Sequence, residues 1–212
     1  MLGYNSWVNV RFSKNIRRVR NWENNVSVAT STERPDLGGN IRYGDANTFA
    51  PILWNYLIDC FGVSSMLDVG CGEGHAVRFF AKHGVHSHGI DGLLSNVQRA
   101  VYPIALHDLL SGPYIMPVDL VWSCEVAEHI IPEKVDYFLE TLANGKVVAM
   151  THAQPGQAGY HHVNCQPDDY WISAMARYGY TLARTQPIFR QIAEKELCQN
   201  YFQSSGLVFV RL

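Results

Sequence analysis

The stretch MLDVGCGEG, residues 66–74, joins a short apolar strand to a turn rich in glycine. Gly70, Gly72 and Gly74 occupy every second position of the turn, and Asp68 precedes them. Glycine permits a tight turn and lets a ligand approach the bare backbone. The G-x-G-x-G spacing departs from the dinucleotide fingerprint G-x-G-x-x-G, which argues against a nicotinamide oxidoreductase. The stretch therefore indicates a ligand-binding loop at the end of a first strand.

Strands and helices alternate after this loop. Strands are predicted over residues 65–70, a short apolar segment that ends in glycine, and over residues 86–91, 103–109, 118–124, 146–153, 180–184 and 206–212. Helical spacing and glycine stops predict helices over residues 47–61, 75–84, 95–102, 133–145 and 167–179, with Asn47 as N-cap of the first and Gly62 beyond its end. Such an alternation predicts an α/β fold with a mostly parallel sheet and helices on both faces. Ligands of these sheets bind at the carboxyl ends of the strands.

An acidic residue follows the second predicted strand. Asp91 lies 17 residues after Gly74, where a carboxylate can accept hydrogen bonds from both hydroxyls of a ribose. A plain structural role is the alternative, because aspartate also caps helices.

Several segments in this order resemble those of the class I S-adenosylmethionine-dependent methyltransferases. They are MLDVGCGEG, HGIDG, LHDL and DLVWSCEVAEHI, and the resemblance extends over roughly residues 47–212. It implies a Rossmann-like sheet of seven strands with the last strand antiparallel, and S-adenosylmethionine as cofactor. The implied cofactor-binding residues are Asp68, Gly70, Cys71, Gly72, Gly74, Asp91, Gly92, Asp108, Leu109, Cys124 and Glu125. The loop from Gly70 to Gly74 would hold the amino-acid part of the cofactor, with Asp68 orienting that loop. Asp91 would bind the ribose, and Asp108 and Leu109 would flank the adenine. Cys124 and Glu125 would line the wall near the methionine portion.

The tract WSCEVAEHI, residues 122–130, sets Glu125, Glu128 and His129 three and four residues apart. On a helix this spacing would place all three on one face. The tract resembles the metal-binding segment of the ubiquinone-pathway O-methyltransferases and of the plant small-RNA 2′-O-methyltransferases. That resemblance implies Mg²⁺ or Mn²⁺ held by Glu125, Glu128, His129 and a downstream histidine, for which we select His162. The alternative is a metal-free tract that caps a helix or contacts the cofactor.

Three histidines lie close together downstream, in THAQPGQAGYHHVN, residues 151–164. His152, His161 and His162 are the candidate catalytic residues, because imidazole titrates near neutral pH and the loop should border the substrate entrance. These features favour O-methylation of a small molecule or a glycan. The alternatives are methylation of RNA ribose and a non-catalytic cofactor-binding protein.

Composition limits the remaining classes of function. The chain has 212 residues, 47% of them hydrophobic, and a net charge of −2, so bulk charge indicates neither a nucleic acid nor a membrane partner. Five of the Lys and Arg residues fall within residues 11–20, which keeps nucleic acid as the less favoured partner. Five scattered cysteines and the lack of a signal peptide favour the reducing cytoplasm. Residues 1–46 are predicted to be an irregular extension that serves as a lid or as part of the acceptor pocket, and residues 47–212 the methyltransferase domain.

Overall fold

The computed structural model describes residues 28–29, 34–38 and 40–212. The basic stretch at residues 11–20 therefore lies outside the described residues. Two short strands, β1 (Val28–Ala29) and β2 (Asn40–Ile41), pair antiparallel. These two strands of two residues each lie within the extension that was predicted to be irregular, and its predicted role as a lid or as part of the acceptor pocket stays a prediction. A 3₁₀ turn at Ala46–Thr48 follows, with the Asp45 side chain accepting a hydrogen bond from the Asn47 backbone.

A seven-stranded sheet forms the centre of the molecule. Its strands are β3 (Ser65–Val69), β4 (His86–Asp91), β5 (Ala105–Leu106), β6 (Val118–Ser123), β7 (Gly145–Met150), β8 (Tyr180–Leu182) and β9 (Leu207–Arg211). Their order across the sheet is β5-β4-β3-β6-β7-β9-β8. Strand β9 runs antiparallel to both of its neighbours, whereas the pairs from β5 to β7 are parallel. The predicted fold, including the antiparallel last strand, is confirmed.

The central strands β3, β6 and β7 are buried on both faces. Consecutive residues alternate between two hydrophobic clusters: Met66 and Leu120 pack on one side, Leu67 and Val121 on the other. A strand buried on both faces reads as a continuous apolar run, which is why the sequence marked these strands clearly.

Seven α-helices surround the sheet in the described part of the chain. They are α1 (Pro51–Phe61), α2 (His75–Lys82), α3 (Leu94–Arg99), α4 (Val135–Leu142), α5 (Asp168–Ala176), α6 (Gln186–Ala193) and α7 (Tyr201–Ser205). Helices α4 and α5 pack through Phe138 and Trp171 on one face, and helices α1 and α6 through Trp54 and Phe189 on the other.

Helix α1 begins later than predicted. Pro51 occupies its first turn and Gly62 ends it in the left-handed conformation, with φ of 61°. The predicted stop is correct, but Asn47 is not the N-cap. Proline suits the first turn because a backbone N–H at this position would have no acceptor within the helix, so its absence costs no hydrogen bond.

Two further predictions differ from the structure. The strand expected over residues 103–109 is reduced to Ala105–Leu106, because this edge strand pairs only with Ile90 and Asp91. Helices α6 and α7 were not predicted. Pro187 in the first turn of α6 and the buried Phe189 and Ile192 are the sequence signals that could have revealed it.

The topological switch point of the sheet lies between β3 and β6. Strand β3 continues to β4 on one side and has β6 as its neighbour on the other. The crevice at the carboxyl ends of these strands is where ligands bind in such sheets. No helix within the described residues is both long and apolar enough to span a membrane.

Candidate active site

A cavity of about 410 Å³ opens at the carboxyl ends of β3, β4 and β6. Its wall includes Gly70, Cys71 and Gly72 after β3, Asp91 after β4 and Glu125 after β6. The volume lies within the range of small-molecule sites in proteins. The fold therefore gathers most of the predicted cofactor residues around one space.

The glycine loop turns sharply out of β3. Gly70, Gly72 and Gly74 have φ of 71°, 55° and 77°, a region that disfavours residues with a side chain. A Cβ at Gly70 would lie 2.4 Å from Val126 Cγ2, whereas one at Gly72 would meet nothing within 4 Å. Gly72 thus leaves bare backbone facing the cavity. Gly74 does not line the cavity and instead precedes the first residue of α2.

Asp91 is already hydrogen bonded within the protein. Its Oδ2 accepts from the backbone N of Gly72 at 2.8 Å, and its Oδ1 accepts from Leu93 N and Asn96 Nδ2, both at 2.9 Å. A carboxylate has about four acceptor positions, so little capacity remains. Binding both ribose hydroxyls, as the sequence suggested, would require Asp91 to release at least one of these donors.

Only one of the two residues that were expected to flank the adenine lines the cavity. Leu109 is buried and lines the cavity, whereas Asp108 does not line it. Asp108 Oδ2 accepts a hydrogen bond of 2.9 Å from Arg34 Nη2, and Arg34 also pairs with Asp36. These charges raise the pKa of Arg34 and lower the pKa of Asp36.

Residues 34–38, here called the strap, cross the cavity from one end to the other. At the end beside Asp91, a Cβ at Gly92 would lie 2.8 Å from Leu37 Cδ1. At the other end, a Cβ at Gly38 would lie 2.5 Å from His129 Cδ2. Leu37 and Gly38 both line the cavity. The strap therefore touches both the expected cofactor side and the histidine side.

Glu125 does not share a helical face with Glu128 and His129, so that prediction is wrong. The 3₁₀ turn after β6 spans Ala127–His129, and Glu125 precedes it with φ of 58°. Thr151 fixes the conformation: its Oγ1 accepts from Glu125 N at 2.8 Å and lies 2.9 Å from Glu125 Oε1. Burial raises the pKa of Glu125. Cys124 lies beside it in the cavity wall, and burial raises the pKa of its thiol.

Three predicted metal ligands come together. One ligand atom from each of Glu128, His129 and His162 lies within 4.8 Å of the others. Glu128 has no exposed surface, and neither carboxylate oxygen has a partner in full hydrogen-bond geometry, although the backbone N–H groups of Glu128 and Ala153 lie close enough to lower its pKa. Burial, followed by the charge of Glu125, raises the pKa of Glu128. Buried polar groups are nearly always satisfied, so this carboxylate indicates a missing partner.

Hydrogen bonds orient the two imidazoles toward Glu128. His129 Nδ1 lies 3.1 Å from the carbonyl oxygen of His161, so Nδ1 carries the proton and Nε2 keeps its lone pair. His129 Nε2 lies 4.0 Å from Glu128 Oε1. Burial lowers the pKa of His129 to about 4, which keeps the ring neutral. His162 Nδ1 faces the Gln157 carbonyl at 3.2 Å, which likewise leaves Nε2 available.

The histidine loop is tied directly to the 3₁₀ turn. The backbone N–H groups of Val163 and Asn164 both donate to the carbonyl oxygen of Glu128, at 2.9 and 3.0 Å. Gly159 provides room for the ring, because a Cβ there would lie 2.1 Å from His162 Nε2. The loop lines the cavity through residues 157–160 and His162.

The other two catalytic candidates do not line the cavity. His152 is buried, and its Nε2 lies 3.1 Å from Asp168 Oδ1, a carboxylate that also pairs with Arg190. His161 contributes its carbonyl oxygen to His129, and its Nε2 is buried without a partner. The geometry thus favours His162 among the three histidines and gives His152 a structural role.

Sequence reasoning missed several polar residues of the cavity. Glu73 is buried and bonds Arg99 Nε at 2.9 Å and the backbone N of Tyr43 at 3.1 Å. Asp45 accepts a hydrogen bond of 3.1 Å from the Tyr201 hydroxyl. Glu73 lies inside the glycine loop and could have been noticed there, but Asp45 and Tyr201 are 156 positions apart and share no motif.

Solved methyltransferase structures share the fold. A TehB-like SAM-dependent methyltransferase from Corynebacterium glutamicum has a TM-score of 0.56 at 18% identity, over 78% of this chain and 90% of that one. Magnesium protoporphyrin IX methyltransferase from Synechocystis PCC 6803, with bound SAM, has a TM-score of 0.54 at 18% identity, over 76% of each chain.

An O-methyltransferase from a trans-AT PKS multienzyme of Brevibacillus brevis, in complex with S-adenosyl-L-homocysteine, gives a TM-score of 0.55 at 14% identity, over 76% of this chain and 70% of that one. No family model matches the sequence, and no curated protein is similar to it. At these identities the comparisons establish the fold, which is that of the class I methyltransferases.

Proposed function

We propose that the protein is an S-adenosylmethionine-dependent methyltransferase that uses a divalent metal ion to methylate a hydroxyl group of a small molecule or a glycan. The observation that carries this proposal is the buried Glu128 carboxylate, which has no hydrogen-bond partner and lies within reach of the imidazoles of His129 and His162. A carboxylate at this depth is costly to ionise without a counter-charge, and a bound cation would remove that cost.

The cavity fits the proposed cofactor. The glycine loop offers bare backbone, Leu109 an apolar wall and Asp91 a carboxylate near the expected ribose. S-adenosylmethionine carries a sulfonium cation, and acidic side chains predominate over basic ones in the wall. Cofactor-bearing structures of the same fold support this assignment.

The three metal ligands also fit a divalent ion. Glu128 would supply one oxygen, and His129 and His162 one Nε2 each. Two imidazoles with one carboxylate suit Mn²⁺ and the first-row transition metals that follow it better than they suit Mg²⁺, which prefers oxygen ligands. Glu125 has its Oε1 bonded to Thr151 and is not among the three clustered ligands.

The chain's residues would prepare the transfer by positioning and by excluding water. A divalent ion, when bound, supplies Lewis-acid activation of the acceptor oxygen. Leu37 and Gly38 of the strap line the cavity together with the histidine loop, and the wall at Cys124 and Glu125 would align the methyl donor. In the proposed reaction the acceptor hydroxyl would pass its proton to solvent, its oxygen would form a bond to the methyl carbon, and the carbon–sulfur bond would break, its electron pair remaining on the sulfur of the neutral thioether product. Proximity and orientation supply much of the rate in such a displacement.

RNA ribose remains the second candidate acceptor, on the strength of the basic stretch at residues 11–20. The cavity wall does not support it, because acidic side chains repel phosphates. All five cysteines are free, which agrees with a reducing compartment such as the cytoplasm.

The test is methyl transfer to vicinal diols such as catechol after chelation, with Mn²⁺ or Mg²⁺ added back. We expect Mn²⁺ to restore more activity than Mg²⁺, and Glu128→Gln to lower the restored rate about tenfold or more. Glu133→Gln is the matched control, since Glu133 is exposed only five positions away.

Cofactor binding is measured separately by calorimetry with S-adenosylhomocysteine. Wild-type protein that binds no cofactor would refute the methyltransferase proposal. Activity indifferent to both the chelator and Glu128→Gln would refute only the metal, and would leave the tract as part of the cofactor wall.

A further inference from the structure

The histidine loop connects β7 to α5 over residues 151–167 and contains no helix or strand. Loops of this length without secondary structure of their own are uncommon in compact domains and usually serve function. Holding such a loop in one arrangement costs conformational entropy, which contacts with the rest of the protein have to offset. Contacts near His162 and contacts at the base of the loop both contribute.

The contacts near His162 join the loop to the 3₁₀ turn after β6. The backbone N–H groups of Val163 and Asn164 donate to the carbonyl oxygen of Glu128 at 2.9 and 3.0 Å, and a carbonyl oxygen of the loop lies 3.1 Å from His129 Nδ1. These bonds bring His162 beside the other two proposed ligands. They act on residues 161–164 only, so the two arms of the loop need a separate constraint.

At the base of the loop, one carboxylate gathers three side chains. Asp168 Oδ1 lies 3.1 Å from His152 Nε2 and accepts from Gln154 Nε2 at 2.9 Å, and its Oδ2 accepts from Arg190 Nη2 at 2.6 Å. His152 and Gln154 lie in the first arm of the loop, directly after β7, whereas Asp168 is the first residue of α5, at the end of the second arm. The Asp168 carboxylate therefore closes the loop.

Arg190 connects this closure to the body of the protein. It lies in α6, and its Nε donates to the carbonyl oxygen of Gly206, directly before β9, at 2.9 Å. Burial alone would raise the pKa of Asp168, but the hydrogen bonds from Gln154 and Arg190 lower it, so the carboxylate is ionised at neutral pH. Hydrogen bonds to ionised groups are stronger than those between neutral groups. The His152 side chain has no exposed surface, so water does not compete for that bond.

We propose that Asp168 is a positioning residue for the metal site: it closes the base of the histidine loop and thereby holds His162 near Glu128 and His129. The proposal rests on the proposed function, of which the metal ion is part. Asp168 does not line the cavity, so its effect on the ion is indirect. A loop with an open base spends part of its time with His162 displaced, and the apparent affinity for the ion falls by the fraction of competent molecules that is lost.

The test compares Mn²⁺ binding by Asp168→Ala and Asp169→Ala, measured from the electron paramagnetic resonance signal of free Mn²⁺. Asp169 is exposed and lies in the same first turn of α5, so each variant removes one carboxylate from the same helix end. If about one molecule in ten keeps the loop in place without the closure, Asp168→Ala should bind Mn²⁺ about tenfold more weakly than Asp169→Ala. Both variants should bind S-adenosylhomocysteine equally well.

A double-mutant cycle shows whether Asp168 acts through His162. In a His162→Ala background, Asp168→Ala should not weaken Mn²⁺ binding further, because the ligand that it positions is already absent. An equal loss in both backgrounds would mean general structural damage and would overturn the proposal. Gln154→Leu removes one arm of the closure and leaves Arg190 paired, so it should give a smaller loss in the same direction, and it serves if Asp168→Ala does not fold.

Hydrogen exchange gives a readout that needs no metal. The amides of Val163 and Asn164 should exchange about tenfold faster in Asp168→Ala than in Asp169→Ala, because the open loop exposes them more often. Equal Mn²⁺ affinities in these two variants would overturn the positioning role. Wild-type protein that binds no Mn²⁺ would count against the proposed metal ion itself, and equal exchange rates would then overturn the dependence of the loop on Asp168.

Discussion

Glu128 has the least favourable surroundings of the acidic residues in the cavity. Its carboxylate is fully buried, has no hydrogen-bond partner and has another carboxylate nearby. The protonated form is therefore preferred in the folded protein, whereas the unfolded chain ionises normally near pH 4.3. With no metal bound, the folded state holds this proton to a higher pH than the unfolded state does.

The sign of the pH dependence follows from that difference. Between the ordinary pKa of glutamate and the raised pKa of Glu128, the folded protein binds more protons, so its stability falls as the pH rises. We expect Glu128→Gln to remove this decline and to be more stable than wild type at alkaline pH. Thermal melts in chelator between about pH 5 and pH 9 measure it. A wild-type melting profile that matches the variant's at every pH would contradict the raised pKa.

Gly159 governs the position of one proposed ligand. An added Cβ would overlap His162 Nε2, so Gly159→Ala should displace the ring and weaken Mn²⁺ binding about tenfold, with cofactor affinity unchanged. Gly156→Ala is the matched control: it introduces a left-handed alanine, at φ of 83°, into the same loop but meets no neighbouring atom. Equal Mn²⁺ affinities in the two variants would show that ring displacement does not matter.

At the scale of elements, helix α1 receives its cap from a distant residue. Ala50 has no capping side chain, and Glu196 Oε1 accepts from Ile52 N at 2.8 Å and from Leu53 N at 2.9 Å. Glu196→Ala should cost about 1 kcal/mol, close to a typical cap, and lower the melting temperature by about 2–4 °C. Glu194→Ala, an exposed position two residues away, should change stability little. Equal melting temperatures for both variants would exclude the capping role.

This cap illustrates which parts of an element the sequence can predict. Glycines that end helices and runs of apolar residues are patterns among neighbouring positions of the sequence. The β3 loop, the end of α1 and most strands could therefore be predicted. Glu196 lies 144 positions from Ile52, and no local pattern connects them. The left-handed turn at Glu125 was equally hidden, because it depends on Thr151 at the end of the neighbouring strand. The pattern of Glu128, His129 and His162 suggested a cluster, while Asp45 and Tyr201 became neighbours only through the fold.

At the scale of the whole molecule, the strap connects two sides of one cavity. Arg34 holds it to Asp108 through a partly exposed ion pair, a type worth about 0.2–1 kcal/mol. Arg34→Met should therefore accelerate dissociation of S-adenosylhomocysteine by up to about fivefold, as measured by stopped-flow fluorescence. Asp36→Asn is the control, because it leaves the bond between Arg34 and Asp108 intact. An unchanged dissociation rate in Arg34→Met would mean that the cofactor leaves by another route.

The position of Leu37 and Gly38 also has a consequence for the time course of catalysis. Leu37 touches the end of the cavity beside Asp91 and Gly38 touches the histidine end. In the proposed reaction, release of the demethylated cofactor and entry of the next acceptor would therefore depend on the same segment. Lid opening limits turnover in many enzymes whose chemistry is faster. A rapid-quench experiment should then show a burst of about one product per protein molecule, followed by a slower steady rate. The residence time of the demethylated product, more than the methyl transfer, would set the pace of this protein.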